Sequence, residues 1–128
     1  MTRWKKRSGS APMAVKYFEQ IANQDLPRMD EGAVRAFLRD FATSNDADKP
    51  ITSGLFRLEE GESLKYTYRY DEMKLVVQGI FIIEDESGQK ITAGAGDLLY
   101  FEKGSSITFS TPNFGLGFFC GQRGKDEA

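Results

Sequence analysis

Five side chains suited to acid–base chemistry recur at every second position in the middle of the chain. They are Tyr66, Tyr68, Tyr70, Glu72 and Lys74. Alternate side chains of an extended chain point to the same face, so a β-strand here would present them as one row. Phenols, a carboxylate and an ammonium group can act together as general acids and bases. We therefore expect an active or binding site at this row.

The sequence contains no histidine, which narrows the chemistry. Catalytic systems that pair serine or cysteine with histidine are excluded, and the most common metal ligand is missing. Glu72 is the candidate for proton transfer, because apolar surroundings raise the pKa of a carboxyl group while a close lysine lowers it. The alternatives are a structural ion pair with Lys74 or Arg69, or an exposed carboxylate.

Lys74 and the tyrosines each have two interpretations. Lys74 would face solvent as an ordinary strand lysine, or would face inward and stabilise an enolate or other oxyanion. A Schiff base at Lys74 is a third, weaker option. Tyr66 and Tyr68 are candidate catalytic groups as proton donors or stacking walls, with ordinary packing as the alternative.

Substrate contacts are predicted at a second set of side chains, for which core packing or surface exposure is the alternative. These residues are Tyr70, Gln78, Val76, Tyr100, Phe109 and Phe118. A site made of Glu72, Asp71 and tyrosine oxygens would suit Mg²⁺ or Mn²⁺. Because imidazole ligands are missing, we predict neither a metal nor another cofactor.

The bulk properties predict one soluble domain. The chain has 128 residues, of which 40% are hydrophobic, and a net charge of −2, so neither nucleic acid nor a membrane surface is an expected partner. No apolar run approaches the roughly 20 residues of a membrane span. The single cysteine, Cys120, rules out an internal disulfide and favours a reducing compartment, so we expect a cytoplasmic protein.

The N-terminal part of the chain is predicted to precede the main domain. Residues 1–12 are basic and resemble a flexible tail. Within residues 13–50, Val15 to Gln20 is a strand candidate, and Asp30 to Phe41 is predicted as a helix. Its apolar side chains recur at helical spacing, and Asp30 suits an N-cap. Residues 122–128 are predicted to form a flexible C-terminal tail.

Residues 51–121 show a period of two with turn residues between short segments. The predicted strands are 51–59, 64–70, 72–78, 80–84, 89–93, 98–102, 107–111 and 115–121. Eight short strands at this spacing are typical of an antiparallel sandwich or barrel.

Within this region the glycine spacing resembles the two motifs of the cupin superfamily. Gly61, Tyr66, Tyr68, Glu72 and Gly79 take the places of the first motif, with tyrosines where cupins have histidines. In the second motif the glycines are kept at positions 96 and 104, while Glu102, Ile107 and Thr111 stand at its proline, histidine and asparagine. The resemblance implies an all-β fold, a single RmlC-like jelly-roll barrel, here with one short N-terminal helix.

A narrower resemblance is to the EutQ-like branch, named for an ethanolamine utilisation protein. It is carried by Tyr70-Asp71-Glu72, Gly96-Asp97 and Lys103 to Ile107. An acetate kinase activity is attributed to the namesake, but the sequence has no GxxxxGK[ST] phosphate loop.

The cupin resemblance implies that Tyr66, Tyr68 and Glu72 face the barrel interior. Alternation then turns Lys74, Val76 and Gln78 inward and leaves an apolar outer face at Met73, Leu75 and Val77, which a second copy of the chain or the N-terminal helix would cover. We predict a homodimeric, metal-independent enzyme for isomerisation, cyclisation or elimination of a small carbonyl compound. The alternatives are a non-catalytic small-molecule binder and an acetate kinase.

Overall fold

The computed structural model describes residues 14–128, and the predicted basic tail at residues 1–12 lies outside them. Within the described part the chain is almost entirely β-structure. The strands are β1 Ala36–Thr43, β2 Thr52–Glu59, β3 Leu64–Thr67, β4 Glu72–Glu84, β5 Lys90–Gly94, β6 Leu98–Phe101, β7 Ser106–Ser110 and β8 Phe114–Gly121. A short 3₁₀ helix, Ile21–Asn23, is the one helical element in this part. The predicted all-β class is therefore confirmed.

The strands form two antiparallel layers that share β4. The first layer runs β1-β2-β8-β4-β6, and the second runs β3-β7-β4-β5. Phe56 of the first layer stacks on Phe81 of the second at 5.8 Å between ring centroids and meets Phe109 edge-on at 5.6 Å. The two layers therefore enclose an aromatic core, as in a jelly-roll barrel.

β4 passes from one layer to the other halfway along its length. Its first half pairs with β6 and β8, and its second half pairs with β5 and β7. A bulge between Val76 and Gln78 and the positive φ of Gly79, 72°, mark the corner. The sequence predicts two strands, 72–78 and 80–84, where the structure has one bent strand.

The predicted N-terminal helix at Asp30 to Phe41 is wrong. Gly32 lies in a turn with φ of 61°, and the following residues form β1, which pairs with β2 from Ala36↔Leu58 to Thr43↔Thr52. The apolar spacing fits a helix, but the hydrogen bonds available at the edge of β2 outweigh that local preference. β1 thus joins the barrel sheet.

The strand predicted near the N-terminus is also wrong. Val15 to Gln20 forms no strand, and its Val15 and Tyr17 side chains are exposed. The flexible tail at residues 122–128 stays a prediction, although Arg123 within it is buried and bound to Asp40 of β1. In residues 14–128 no helix has the length and apolar character needed to cross a membrane.

Replacement of Gly79 by alanine should be much more destabilising than the same change at Gly88. Both glycines have positive φ, 72° and 88°, so each alanine costs about 1–2 kcal/mol in backbone strain. At Gly79 the added methyl would also overlap the Phe114 carbonyl oxygen of β8, whereas nothing lies within 4 Å at Gly88. We expect Gly79→Ala to lose a further ~1–3 kcal/mol of unfolding free energy. Urea unfolding measures both variants, and equal losses would contradict the close packing of β4 on β8.

Candidate functional site

The barrel encloses a cavity at the end where β3, β4 and the C-terminal residues meet. We call it the barrel cavity. It is lined by Met29, Leu38, Phe56, Leu64, Tyr66, Tyr68, Tyr70, Glu72, Lys74, Phe109, Phe119, Arg123 and Ala128. All four predicted catalytic residues, together with Tyr70 and Phe109 of the predicted substrate contacts, line this one space.

Glu72 and Lys74 form a buried ion pair at its centre. Alternation along β4 turns both inward, and each residue is only 4% exposed. The Lys74 Nζ lies 3.3 Å from Glu72 Oε2, and the Tyr68 hydroxyl donates to the same oxygen at 2.6 Å. No hydrogen bond within residues 14–128 uses Glu72 Oε1, so this oxygen can accept a proton.

Aromatic rings surround the Lys74 ammonium on its other sides. Its Nζ lies 4.4 Å from the ring centroid of Phe56, 4.8 Å from that of Phe109 and 5.5 Å from that of Phe101. Burial lowers the pKa of Lys74, and the adjacent Glu72 carboxylate opposes that shift. The ring faces and the carboxylate together compensate for the lost hydration of the ammonium.

β8 makes room for the lysine because its inward side is built mainly from glycine. The stem of Lys74 packs over Gly117, where an added Cβ would lie 3.0 Å from Lys74 Cγ and Cδ. An added Cβ at Gly121 would likewise lie 3.0 Å from the ring of Tyr70. Larger residues at these positions would push both side chains out of the barrel.

The three tyrosines form a contiguous aromatic cluster. The Tyr66 and Tyr70 hydroxyls lie 2.8 Å apart, and Tyr68 stacks on Phe101 at 5.0 Å. Burial raises the pKa of all three phenols, and the Glu72 carboxylate raises each further. At neutral pH they are therefore proton-bearing hydrogen-bond donors.

Arg123 closes one side of the cavity from the segment after β8. Its Nη1 and Nη2 donate to the two carboxylate oxygens of Asp40 at 2.7 and 2.9 Å. Burial alone would lower the pKa of Arg123 and raise that of Asp40. Their mutual hydrogen bonds and charges reverse both shifts, with further contributions from Tyr70 on Arg123 and from the Asp126 N–H on Asp40. The guanidinium carbon lies 5.4 Å from the ring centroids of Tyr70 and Phe119.

Four predicted substrate contacts do not line the barrel cavity. Gln78 and Tyr100 are exposed, Phe118 is half-buried, and Val76 is packed in the core. The bulge in β4 interrupts the alternation before Gln78, which turns it outward. On β6 and β8 the predicted residues, Tyr100 and Phe118, each lie one position away from a residue that faces inward.

The inward aromatic residues are the neighbours of the two predicted ones. Phe101 lies inside instead of Tyr100, and Phe119 instead of Phe118. On β8 the alternation of Gly117, Phe119 and Gly121 is a signal that could have identified the inward side. Nothing in the sequence around Arg123 marks it as a cavity residue.

The residues at the cupin ligand positions do not fit a divalent metal. Glu72 is the only one with a carboxylate, and its Oε2 already carries an ammonium and a phenol. A second cation at this oxygen would lie against Lys74 without further anionic ligands to offset the repulsion. Among residues 14–128 there is no group of three His, Cys, Asp or Glu side chains placed for a metal. The absence of a metal cofactor stays a prediction, and we derive no step through a metal.

The cavity is narrow and shares lining residues with two wider grooves. The volume within the cavity that the centre of a water molecule can occupy is about 30 Å³. This volume suits a group of a few heavy atoms. Met29, Leu38 and Ala128 also line an outer groove of about 670 Å³. Tyr66, Tyr70 and Ala128 likewise line a second groove of about 530 Å³.

Comparisons with known proteins agree with this fold. The family model described as ethanolamine utilisation protein EutQ matches residues 2–119. The acetate kinase EutQ of Clostridioides difficile strain 630 is 36% identical over 85 residues, which cover 56% of this chain and 53% of that protein. This chain thus spans about half the length of the curated relative it matches.

Solved structures show the same architecture. The Clostridium difficile EutQ protein superposes with a TM-score of 0.71 at 24% identity, covering 84% of this chain and 79% of that chain. An RmlC-like cupin from Shewanella frigidimarina NCIMB 400 gives 0.63 at 13% identity, covering 88% and 96%. These likenesses confirm the predicted cupin jelly-roll barrel.

The buried phenols predict a loss of stability in alkali. Above about pH 10 the unfolded chain releases protons that Tyr66, Tyr68 and Tyr70 retain when folded, so unfolding free energy falls as the pH rises. The buried Tyr68 and Tyr70 each contribute up to about 1.4 kcal/mol per pH unit, and the half-buried Tyr66 contributes less. Lys74 acts in the opposite sense. Its pKa is lowered in the fold, so unfolding free energy rises with pH from that value up to the ordinary 10.5.

The test is urea unfolding at a series of alkaline pH values. Tyr68→Phe removes one retained proton and should make the decline shallower by about 1.4 kcal/mol per pH unit. Replacement of the exposed Tyr17 by phenylalanine serves as the control and should keep the wild-type slope. An unchanged slope in Tyr68→Phe would contradict the burial of this phenol.

Proposed function

The chain belongs to the family of the ethanolamine utilisation protein EutQ, and we propose that it is a metal-independent enzyme. Its chemistry would be acid–base catalysis on a small carbonyl-containing molecule held in the barrel cavity, of the isomerase, cyclase or lyase type. One observation carries the proposal: Glu72 and Lys74 are both buried and face one cavity. Burying two charges costs several kcal/mol per ion before pairing, so an apolar pair would be the simpler structural solution.

Glu72 Oε1 is the proposed base. It would take a proton from the carbon beside the substrate carbonyl, and the electron pair of that C–H bond would form the enolate. Lys74 and the Tyr68 hydroxyl hold Oε2 at 3.3 and 2.6 Å, which fixes the orientation of the carboxylate. Returning the proton to a different atom gives an isomer, and loss of a leaving group from the enolate gives elimination.

Donors that are already in place would stabilise the negative charge that develops on the enolate oxygen. Lys74 supplies a positive charge in surroundings where solvent is excluded, which strengthens its interaction with an enolate oxygen. The Tyr66 and Tyr70 hydroxyls bond to each other at 2.8 Å, so the pair supplies one free phenolic donor, which stays protonated at neutral pH because burial raises the pKa of both phenols. These groups would orient the substrate or return the proton.

A non-catalytic binder is the main alternative. The same cavity would then bind a small carbonyl compound without turnover, and replacement of Glu72 would change affinity alone. The narrow space of about 30 Å³ is compatible with either role. A location in the cytoplasm also stays a prediction.

Phosphoryl transfer is a second candidate, favoured by the name of the relatives. Proteins named acetate kinase EutQ are 36%, 33% and 35% identical to this chain, over 53%, 31% and 30% of their own lengths. This chain has no GxxxxGK[ST] phosphate loop. Transfer of phosphate from ATP to acetate by the purified protein would establish this candidate over acid–base catalysis.

We also propose that the protein is a homodimer through the outer face of the first layer. Met73, Leu75 and Val77 of β4 are 47%, 40% and 37% exposed, and β6 adds Leu98 and Tyr100 at 67% and 52%. Residues 1–12, with four basic side chains, do not match this apolar surface. A second copy presenting the same face does.

Replacement of Glu72 by glutamine should abolish catalysis, and the comparison is made on folded protein because the change leaves Lys74 buried without its counter-ion. Small ketones, aldehydes and esters are incubated with the protein in D₂O, and exchange at the carbon next to the carbonyl is followed by proton NMR. We expect exchange by the wild type and a loss of at least about 100-fold in Glu72→Gln. Gln78→Ala, on the outer side of the bulge, is the control and should keep the wild-type rate. Full exchange in folded Glu72→Gln would exclude the mechanism, and binding without exchange would favour the binder.

A charge on the outer face should separate the dimer. Leu75→Glu places a carboxylate at the centre of the apolar patch, and light scattering after size exclusion should change from the dimer to the monomer mass. Ile91→Glu is the matched control, since Ile91 is similarly exposed but lies on β5 of the other layer. A wild-type protein that is monomeric at micromolar concentration would refute the dimer.

A further inference from the structure

Arg123 has a buried nitrogen that nothing in the described chain satisfies. Its Nη1 and Nη2 donate to Asp40, and Nη1 also donates to the Gly124 carbonyl at 2.9 Å. Its Nε is the one buried side-chain nitrogen or oxygen within residues 14–128 that has no hydrogen-bond partner. The side chain is 4% exposed, so bulk water does not replace the missing acceptor.

A buried donor of this kind destabilises the fold unless a ligand supplies the missing acceptor. An unsatisfied buried donor costs about 1–3 kcal/mol, and more when it is charged. Folded proteins satisfy nearly all such groups, and the exceptions cluster where a ligand or ion belongs. Arg123 has no part in the proton transfer by Glu72, so its unsatisfied nitrogen calls for a separate explanation.

The position of Arg123 supplies that explanation. It lines the same cavity as Glu72 and Lys74, and its guanidinium carbon lies 5.4 Å from the ring centroid of Tyr70. The two Nη atoms are held rigidly by Asp40, which leaves the Nε–H as a fixed donor. A donor that is already held in position favours the binding of a ligand oxygen atom.

The charges of the cavity indicate which kind of ligand oxygen the Arg123 Nε–H would bind. Lys74 is paired with Glu72, and Arg123 is paired with Asp40, so the four charges already sum to zero. A carboxylate ligand would add a buried negative charge without its own counter-ion, which is costly. A neutral carbonyl oxygen satisfies the Nε–H and leaves the balance unchanged.

We infer that Arg123 Nε–H binds the carbonyl oxygen of a neutral substrate, such as a ketone, ester or amide, in preference to a carboxylate. This inference rests on the proposed function, because the same oxygen would acquire negative charge when Glu72 removes the proton. Arg123 would then be a second catalytic donor beside Lys74. It also defines the substrate class as uncharged at the reacting end.

The experiment observes the nitrogen itself. The Nε–Hε signals of ¹⁵N-labelled protein are recorded by NMR, and the Arg123 signal is assigned by its loss in Arg123→Lys. Acetamide is the neutral probe and acetate the anionic one; the two match in size and suit the narrow cavity. We expect acetamide to shift the Arg123 signal and to bind more tightly than acetate. Arg123→Lys keeps a positive charge near Asp40 and should weaken acetamide binding at least about tenfold.

Arg57 provides the matched control. Its Nε already donates to Glu59 at 3.0 Å outside the barrel cavity, so its signal should not respond to acetamide, and Arg57→Lys should bind the probe as the wild type does. An Arg123 signal that stays unchanged up to the highest soluble acetamide concentration overturns the inference. A larger response to acetate overturns the preference for neutral oxygen.

Failure of this inference and failure of the proposed function give different results. Glu72→Gln should retain the acetamide-induced shift of Arg123, because Arg123 is paired with Asp40 and not with Glu72. If that shift occurs while Glu72→Gln keeps full exchange activity, Arg123 is a ligand donor and Glu72 is not the base. If Glu72→Gln is inactive and the Arg123 signal never responds, the base is correct and this inference fails.

Discussion

The buried pair of Glu72 and Lys74 is the constraint on which the inner barrel depends. Two opposite charges at 3.3 Å are stable in a dry interior only if their remaining hydrogen-bonding and electrostatic needs are met there. Tyr68 meets one need of the carboxylate, and three phenylalanine rings face the ammonium. The counter-ion of Glu72 is thus a side chain of the same strand.

The pair also dictates the residues around it. Lys74 needs a glycine across the sheet at position 117, and Tyr70 needs another at position 121. β8 therefore has little side-chain volume on its inward side, and Phe119 fills the space between the two glycines. The second pair, Arg123 with Asp40, joins the end of the chain to β1 beside the same cavity. Both cations of the cavity are thus neutralised by the protein itself.

The sequence predicts most strands of the barrel, but it does not predict β1 or the position of Arg123. Periodicity and turn residues located seven of the eight strands, because alternation along a half-buried strand is a local property. Glu72, Lys74 and the three tyrosines were brought together correctly for the same reason. β1 was missed because its edge pairing with β2 outweighs a helical apolar pattern. Arg123 was missed because only the folded chain brings it to Asp40, 83 residues earlier.

The bulge in β4 has a consequence for how this strand can change during evolution. Before it, even-numbered residues such as Lys74 and Val76 point inward, and after it odd-numbered residues such as Phe81 and Ile83 do. The extra residue at the bulge, Val77, therefore sets the phase between the two halves of the barrel. Deleting it would rotate one half of the strand and exchange its core for its surface. Insertions and deletions within β4 would therefore be purged.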